Sequence, residues 1–259
     1  VSAIAGHNDL ILMDEEYHAS GIASLTLSKG RHELFAHNDA MELEEKLKSA
    51  KADRVFIFVE SVYSMIGDIL PLDIIEIAGR YGAYLVIDEA HGHGVIGSHL
   101  GGIYDYYGIS PESRHIKMGT LSKAIGSYGA YILATKEIIS FLVNRAKPVI
   151  YSTALSPIDA ELANERIKKI AKNSEPLRKK LDQRLSICSE ILGKKFLTPI
   201  IMIETKNAAK IHSELTQKGI ITGFIRPPTV KTPSIRLIAR LGEKEKDLVK
   251  TLNFIKARS

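Results

Sequence analysis

Gly119-Thr-Leu-Ser-Lys-Ala-Ile-Gly-Ser-Tyr-Gly129 sets one lysine, Lys123, among small and hydroxylated residues, between the apolar runs Ile116-Lys-Met118 and Ala130-Tyr-Ile-Leu-Ala134. The flanking runs predict two buried strands and the stretch between them a loop. An amine held off solvent there loses part of its preference for the charged form and becomes a nucleophile able to condense with a carbonyl. Thr120, Ser122 and the backbone amides of a glycine-rich loop suit an anion. The same stretch also reads as a surface lysine on a hairpin, and nothing inside it separates the two readings.

What separates them lies upstream, in Asp88-Glu-Ala-His-Gly-His-Gly94. A carboxylate such as Asp88, paired with a heteroaromatic ring nitrogen, keeps that ring protonated and turns a pyridine into an electron sink. The plainer role is a turn former or helix cap. His91 is placed to hydrogen-bond a ring substituent, and His93 has the weaker case of the two. His18 follows a strand and precedes small residues, so its imidazole can stack on a planar ligand or stand solvated in a turn. Nine histidines invite a metal reading. Neither a His-Glu-x-x-His pair nor a carboxylate triad at ligand spacing supports one.

These groups need strands that end at one edge. The run 53–60 has a continuous apolar centre, as in a strand covered on both faces of a parallel sheet. Residues 72–81 predict a helix, with Pro71 near its start and Gly82 at its end, and 83–88 a second buried strand. Loops after Val59, Ile87 and Met118 would then meet where open α/β sheets bind ligands. Earlier, 1–6 reads as the end of a helix, 10–13 as a short strand, and Asn38-Asp39 as the cap of a helix over 40–50. The fold class is α/β with a mostly parallel sheet. Past Pro148 the pattern changes to a helix over 158–173, a break at Ser174-Glu-Pro176, and a basic helix over 177–192. A boundary at that break gives a large domain, 1–173, and a small α/β domain, 174–259. The small domain would hold strands at 200–204, 220–225 and 235–239, with helices over 208–218 and 243–257.

With 45% hydrophobic and 25% charged residues over 259 positions, the chain can bury a real core. A net charge of +5 spread over helical segments gives no nucleic-acid tract but favours an anionic cofactor or substrate. One cysteine, Cys188, excludes an internal disulfide and gives no zinc signature, which fits a reducing compartment. No apolar run approaches the roughly 18 residues of a membrane span, and the amino terminus lacks a charged-then-apolar leader. The expected location is cytoplasmic, with no membrane partner.

Taken in order, Asp88-Glu-Ala-His-Gly-His-Gly-Val-Ile-Gly97, Gly119-Thr-Leu-Ser-Lys-Ala-Ile-Gly126 and Tyr151-Ser-Thr153 resemble the α-oxoamine synthases, pyridoxal 5'-phosphate (PLP) enzymes of the type I aminotransferase fold. Each motif is weak alone; their order and spacing carry the resemblance, which runs over essentially the whole chain. It implies PLP as cofactor, bound covalently by Lys123, which would also take and return the amino acid's α-proton. Asp88 would pair with the ring nitrogen, His91 would contact the ring oxygen, and His18 would stack on the ring face. Thr120, and more weakly Ser122, would hold the phosphate, with Thr153 reaching in from the second subunit of a homodimer. Ser64 would lie near the cofactor. Thr229 and Arg236 would face the substrate, a guanidinium being suited to a carboxylate. Glu60 resembles a family carboxylate near the reacting centre, or caps its strand; Arg226 reads as a structural neighbour.

The reaction implied is a decarboxylative condensation of an amino acid with an acyl thioester, carried by coenzyme A or an acyl carrier protein. Ile225-Arg-Pro-Pro-Thr-Val230 is most similar to the branch that joins L-alanine to a pimeloyl thioester on the way to biotin. A glycine-using branch and a non-catalytic remnant of the fold are the alternatives. Three departures stand out. The family has roughly a hundred further residues before the position of Val1, about the size of a small domain, so the chain reads as a fragment, a split product or a decayed copy. Leu100-Gly-Gly102 replaces a usual glycine-arginine-glycine turn, and Lys231 replaces a usual proline.

Overall fold

Five segments become the parallel strands of one sheet: β1 (Leu10–Asp14), β2 (Arg31–Phe35), β3 (Val55–Glu60), β4 (Tyr84–Asp88) and β5 (His115–Thr120), β2 being a largely exposed strand at one edge. A sixth strand, β6 (Ala130–Leu133), returns antiparallel to β5, giving the order β2-β1-β3-β4-β5-β6. All five residues of β1 are buried, as are Phe56 to Glu60 of β3, which is why neither strand alternates polar and apolar residues. β6 departs from expectation. Its Ala130, Ile132 and Leu133 are exposed, because an antiparallel edge strand needs no cover on both sides. The computed structural model describes all of Val1–Ser259. It divides them into two units, Val1–Tyr63 with Ile69–Lys172, and Ser64–Asp68 with Asn173–Ser259.

The crossovers of the first unit follow local rules. Helix α1 (Ala19–Leu25) is capped by the His18 side chain, which accepts from Ser20 N. Helix α2 (Ala40–Ser49) starts at Asp39, whose carboxylate accepts the backbone N–H groups of Met41 and Glu42. Helix α3 (Leu72–Arg80) buries Ile74, Ile75, Ile77 and Ala78 on one face. The short helix α4 (Ile103–Tyr107) has no counterpart in the expectations. It opens at Gly102, with φ 95°, and closes on Gly108, with φ 65°, so both ends rest on glycines in the left-handed half of φ space. Residues 2–4 form a turn rather than the end of a helix. Helices α5 (Lys136–Arg145), α6 (Lys147–Ile150) and α7 (Pro157–Lys172) complete the unit.

In the second unit, α8 (Ser174–Leu192) begins three residues earlier than expected. Pro176 sits in its first turn, where its missing N–H has no partner to lose, so it does not break the helix. A three-stranded antiparallel sheet, ordered β7-β9-β8, is made by β7 (Ile200–Glu204), β8 (Gly223–Ile225) and β9 (Ser234–Ile238), with α9 (Ala208–Gln217) and α10 (Glu245–Lys256) alongside. Strand β8 is half the length expected, starting only at Gly223. Cys188, Ile201, Ile211, Leu215, Ile235, Leu252 and Ile255 form the unit's own core and are fully buried. The segment Ser64–Asp68 belongs here: Thr198 Oγ1 donates to Gly67 O at 2.6 Å, and Arg236 Nε donates to Ser64 O at 2.9 Å.

Candidate active site

Strands β3, β4 and β5 finish side by side, with Glu60 paired in register to Asp88 and Asp88 to Met118. The loops that leave them therefore start from one edge of the sheet, the carboxyl ends of parallel strands, where backbone dipoles and loop side chains face open space. Across that edge Lys123 Nζ is hydrogen-bonded to His91 Nε2 at 2.9 Å. This joins the loop after β5 to the loop after β4. Lys123 itself is exposed, which corrects the expectation of an amine shut away from solvent.

Asp88 is half-buried. Burial pushes its carboxyl above the ordinary value, against the opposing pull of the Ala90 N–H, Lys123 and His18. Oδ1 accepts that N–H at 2.8 Å, leaving Oδ2 for another donor. His18 is exposed, but its frame is fixed. Its backbone N–H donates to Glu60 Oε1 at 2.5 Å, and its Nδ1 meets Ser20 Oγ at 2.8 Å. Glu60 is thus buried and engaged at the start of α1. Tyr17 packs edge-on to Phe58 beneath this corner, and burial together with the charges of Asp88 and Glu60 raises its phenol well above the usual range. His93 turns away to Tyr131, Nδ1 to OH at 2.8 Å, and burial lowers its basicity.

Thr120 Oγ1 lies 2.7 Å from Ser122 Oγ, accepts from Ser122 N at 3.2 Å and donates to Gly129 O at 3.2 Å. The two hydroxyls named for an anion are therefore adjacent. Thr153 is exposed between α6 and α7. Ser64, Thr229 and Arg236 are carried by the second unit. There Ser64 is buried, Thr229 is exposed, and Arg236 is half-buried with its basicity lowered by desolvation.

Sequence reasoning passed over Glu89. This residue is fully buried, and its carboxylate accepts from Ser61 Oγ at 2.8 Å and Ile103 N at 2.8 Å, with Lys117 Nζ at 3.2 Å. The available signal was the pair of glycines at 92 and 102: a Cβ at either would strike the Glu89 carboxylate. A cavity of about 450 Å³ lined by His7, Asn8, Arg31, Lys51, Ala52 and Asp53 lies elsewhere, at the amino ends of β1, β2 and β3.

The residues at the carboxyl edge fit PLP by their chemistry. An amine can condense with the aldehyde, and a half-buried carboxylate with a second acceptor oxygen suits a protonated ring nitrogen. An imidazole stands next to the amine, and paired hydroxyls stand at the end of β5.

The family model for aminotransferase class I and II matches residues 1–249. The 8-amino-7-oxononanoate synthase of Helicobacter pylori (strain ATCC 700392 / 26695) is 39% identical over 261 residues, covering 97% of this chain and 70% of its own length. Among solved structures, the 8-amino-7-oxononanoate synthase of Francisella tularensis superposes with a TM-score of 0.83 at 27% identity, covering 99% of this chain and 77% of that one. A serine palmitoyltransferase from S. paucimobilis, solved with a PLP-myriocin aldimine, reaches a TM-score of 0.91 at 23% identity, covering 99% of this chain and 68% of that one. The last likeness speaks to the fold alone. The chain spans 61–70% of the length of the curated relatives it matches.

Proposed function

The chain belongs to the aminotransferase class I and II family, within it to the PLP-dependent α-oxoamine synthases, and we propose that it joins L-alanine to a pimeloyl thioester, forming 8-amino-7-oxononanoate, carbon dioxide and the free thiol. The observation that carries the reading is the meeting of Lys123, His91 and Asp88 at the carboxyl edge of adjacent strands. Identity to several synthases of that name supports the same choice of substrate.

When bound, PLP supplies an aldehyde for covalent attachment and a protonated ring that withdraws electrons. The chain supplies position and proton transfer. Lys123 Nζ is the amine that would hold the aldehyde, and as a free amine it would serve as the base that moves the proton at the amino acid's α-carbon. His91 Nε2, 2.9 Å from that amine, orients it. The Asp88 carboxylate would pair with the protonated ring nitrogen, a cation that would offset the desolvation of Asp88. His18, fixed through Ser20 and Glu60, would stack on the ring face. Thr120, its hydroxyl beside that of Ser122, would hold the phosphate. In the second unit, Ser64, Thr229 and Arg236 are the residues proposed for cofactor and substrate, Arg236 as a guanidinium suited to a carboxylate.

The proposal extends to a homodimer in which Thr153 of one copy serves the phosphate site of the other, to domains 1–173 and 174–259, and to a cytoplasmic location. No helix is long and apolar enough to cross a membrane. Two measurements test the reading. Purified protein saturated with PLP should show a visible absorption band that Lys123→Ala abolishes. Supplied with pimeloyl thioester, it should form product from alanine and not from glycine. A wild-type protein that shows the band yet prefers glycine would move it to the glycine-using branch; one with no band at saturating cofactor would overturn the enzymatic reading.

A further inference from the structure

Asp88 and Glu89 are consecutive carboxylates, and the structure uses them oppositely. Glu89 is completely buried and satisfied within the chain: Oε2 takes the Ser61 hydroxyl, Oε1 takes the Ile103 N–H at the start of α4, and Lys117 of β5 supplies the countercharge. Lys117 Nζ also donates to Gly101 O at 2.9 Å. Ser61 in turn reaches the Asp88 carbonyl with both its N–H, at 2.9 Å, and its Oγ, at 3.2 Å. On the other side Glu89 N donates to Met118 O at 2.7 Å. The backbone that carries Asp88 is therefore held from β3, β5 and α4 at once, and the Glu89 side chain is where the three supports meet. Gly92 and Gly102 complete the frame, since a Cβ at either position would occupy the volume of the Glu89 carboxylate. This accounts for a glycine directly after His91: the loop must close over the carboxylate to bring the imidazole to Lys123.

We propose that Glu89, with Lys117 and Ser61, is the positioning residue of the site, holding the Asp88 carboxylate and the His91 loop in the arrangement the cofactor meets. Glu89 does not touch the cofactor itself, because its oxygens are committed to Ser61, Ile103 and Lys117. Removing its charge strands the Lys117 ammonium, which is only 14% exposed, beside the strand that leads to Lys123. The inference rests on the assignment of Asp88 to the ring nitrogen.

The test compares Glu89→Gln and Asp88→Asn as PLP-loaded full chains, reading cofactor dissociation and the pH midpoint of the bound cofactor's visible band, with melting temperature as a control. Glu89→Gln keeps the shape and should still fold. Cofactor binding should weaken by about tenfold or more, the scale of one lost charge-assisted hydrogen bond, and the midpoint should move in the same direction as in Asp88→Asn. Ser61→Ala, a milder cut in the same frame, should produce a smaller shift of the same sign, and it serves alone if Glu89→Gln does not fold. A lower melting temperature with unmoved affinity and midpoint would make Glu89 a scaffold residue only and overturn the proposal. If Asp88→Asn also leaves the midpoint unmoved, the assignment of Asp88 falls, and the positioning role falls with it.

Discussion

Side by side at the end of β4, two carboxylates differ in what neutralises them. Glu89 has the Lys117 ammonium at 3.2 Å; Asp88 accepts the Ala90 N–H and feels the charges of Lys123 and His18. The raised value of Asp88, caused first by burial, fixes a sign. Between the unfolded value, about 3.9, and the raised folded value, the folded state binds more protons than the unfolded state. Stability of the cofactor-free protein must then fall as pH rises through that window. Asp88→Asn carries no such charge, so its melting temperature should gain on the wild type as pH climbs from about 4 toward neutrality; curves that stay parallel would contradict the burial cost. PLP, bringing a positive ring nitrogen, should reduce the difference. The motifs single out Asp88, His91 and Lys123, and the structure brings Lys123 to His91 beside the end of the strand that carries Asp88. Glu89 lies in the same motif and went unread, since its partners Ser61, Ile103 and Lys117 come from three distant segments. The exposure of Lys123 was equally hidden, as small neighbours in sequence do not show what stands over a side chain in space.

Elements that follow one rule were readable, and those that answer to several were not. β3 and β4 announce themselves as unbroken apolar runs, and α3 by its buried face. α4 does not. It has five residues between two glycines of positive φ, and what starts it is the Asp105 carboxylate turned back onto the preceding loop. Asp105 accepts from His99 N at 2.7 Å, Gly101 N at 3.0 Å and Ser98 Oγ at 3.0 Å, with His99 Nδ1 at 2.9 Å. The same carboxylate holds Leu100, a non-glycine residue with φ 59°, between its bonded neighbours. Despite some desolvation, these donors bring its carboxyl down to about 2. Here the sign is the reverse of Asp88: the stabilisation is complete above the unfolded value near 3.9 and is lost as pH falls toward 2. Asp105→Asn should therefore lower the melting temperature at neutral pH, with the gap to wild type closing on acidification. A gap that is constant with pH would assign the loss to packing rather than to the charge. Pro176 teaches the converse lesson. Its place in the first turn of α8 was open to it by ordinary helix chemistry, and only the preceding Ser174 and Glu175 made it look like a break.

At the scale of the whole chain, each unit has a core of its own, and the assignment of Ser64–Asp68 to the second could not be read from chain order. The first unit also presents an apolar stretch the sequence did not foretell. Eleven of the 21 exposed large apolar side chains fall between Tyr128 and Leu162, including Tyr151 at 81% and Ile158 at 79% exposure. The run 130–134 looks like a buried strand because apolar residues in sequence give no sign of whether a neighbour stands on their far side; as β6 it forms an edge. Exposed apolar side chains cost free energy in water, and association that covers them relieves the cost. Sedimentation velocity should show a concentration-dependent rise in mass, and Leu133→Lys with Ile158→Lys should suppress it without unfolding either unit. A rise that saturates at twice the monomer mass would support the homodimer and bring Thr153, which lies within the same stretch, into a shared site. Growth without a limit would instead mark a surface that only adheres, and a monomer at every concentration would remove the physical argument for a second copy.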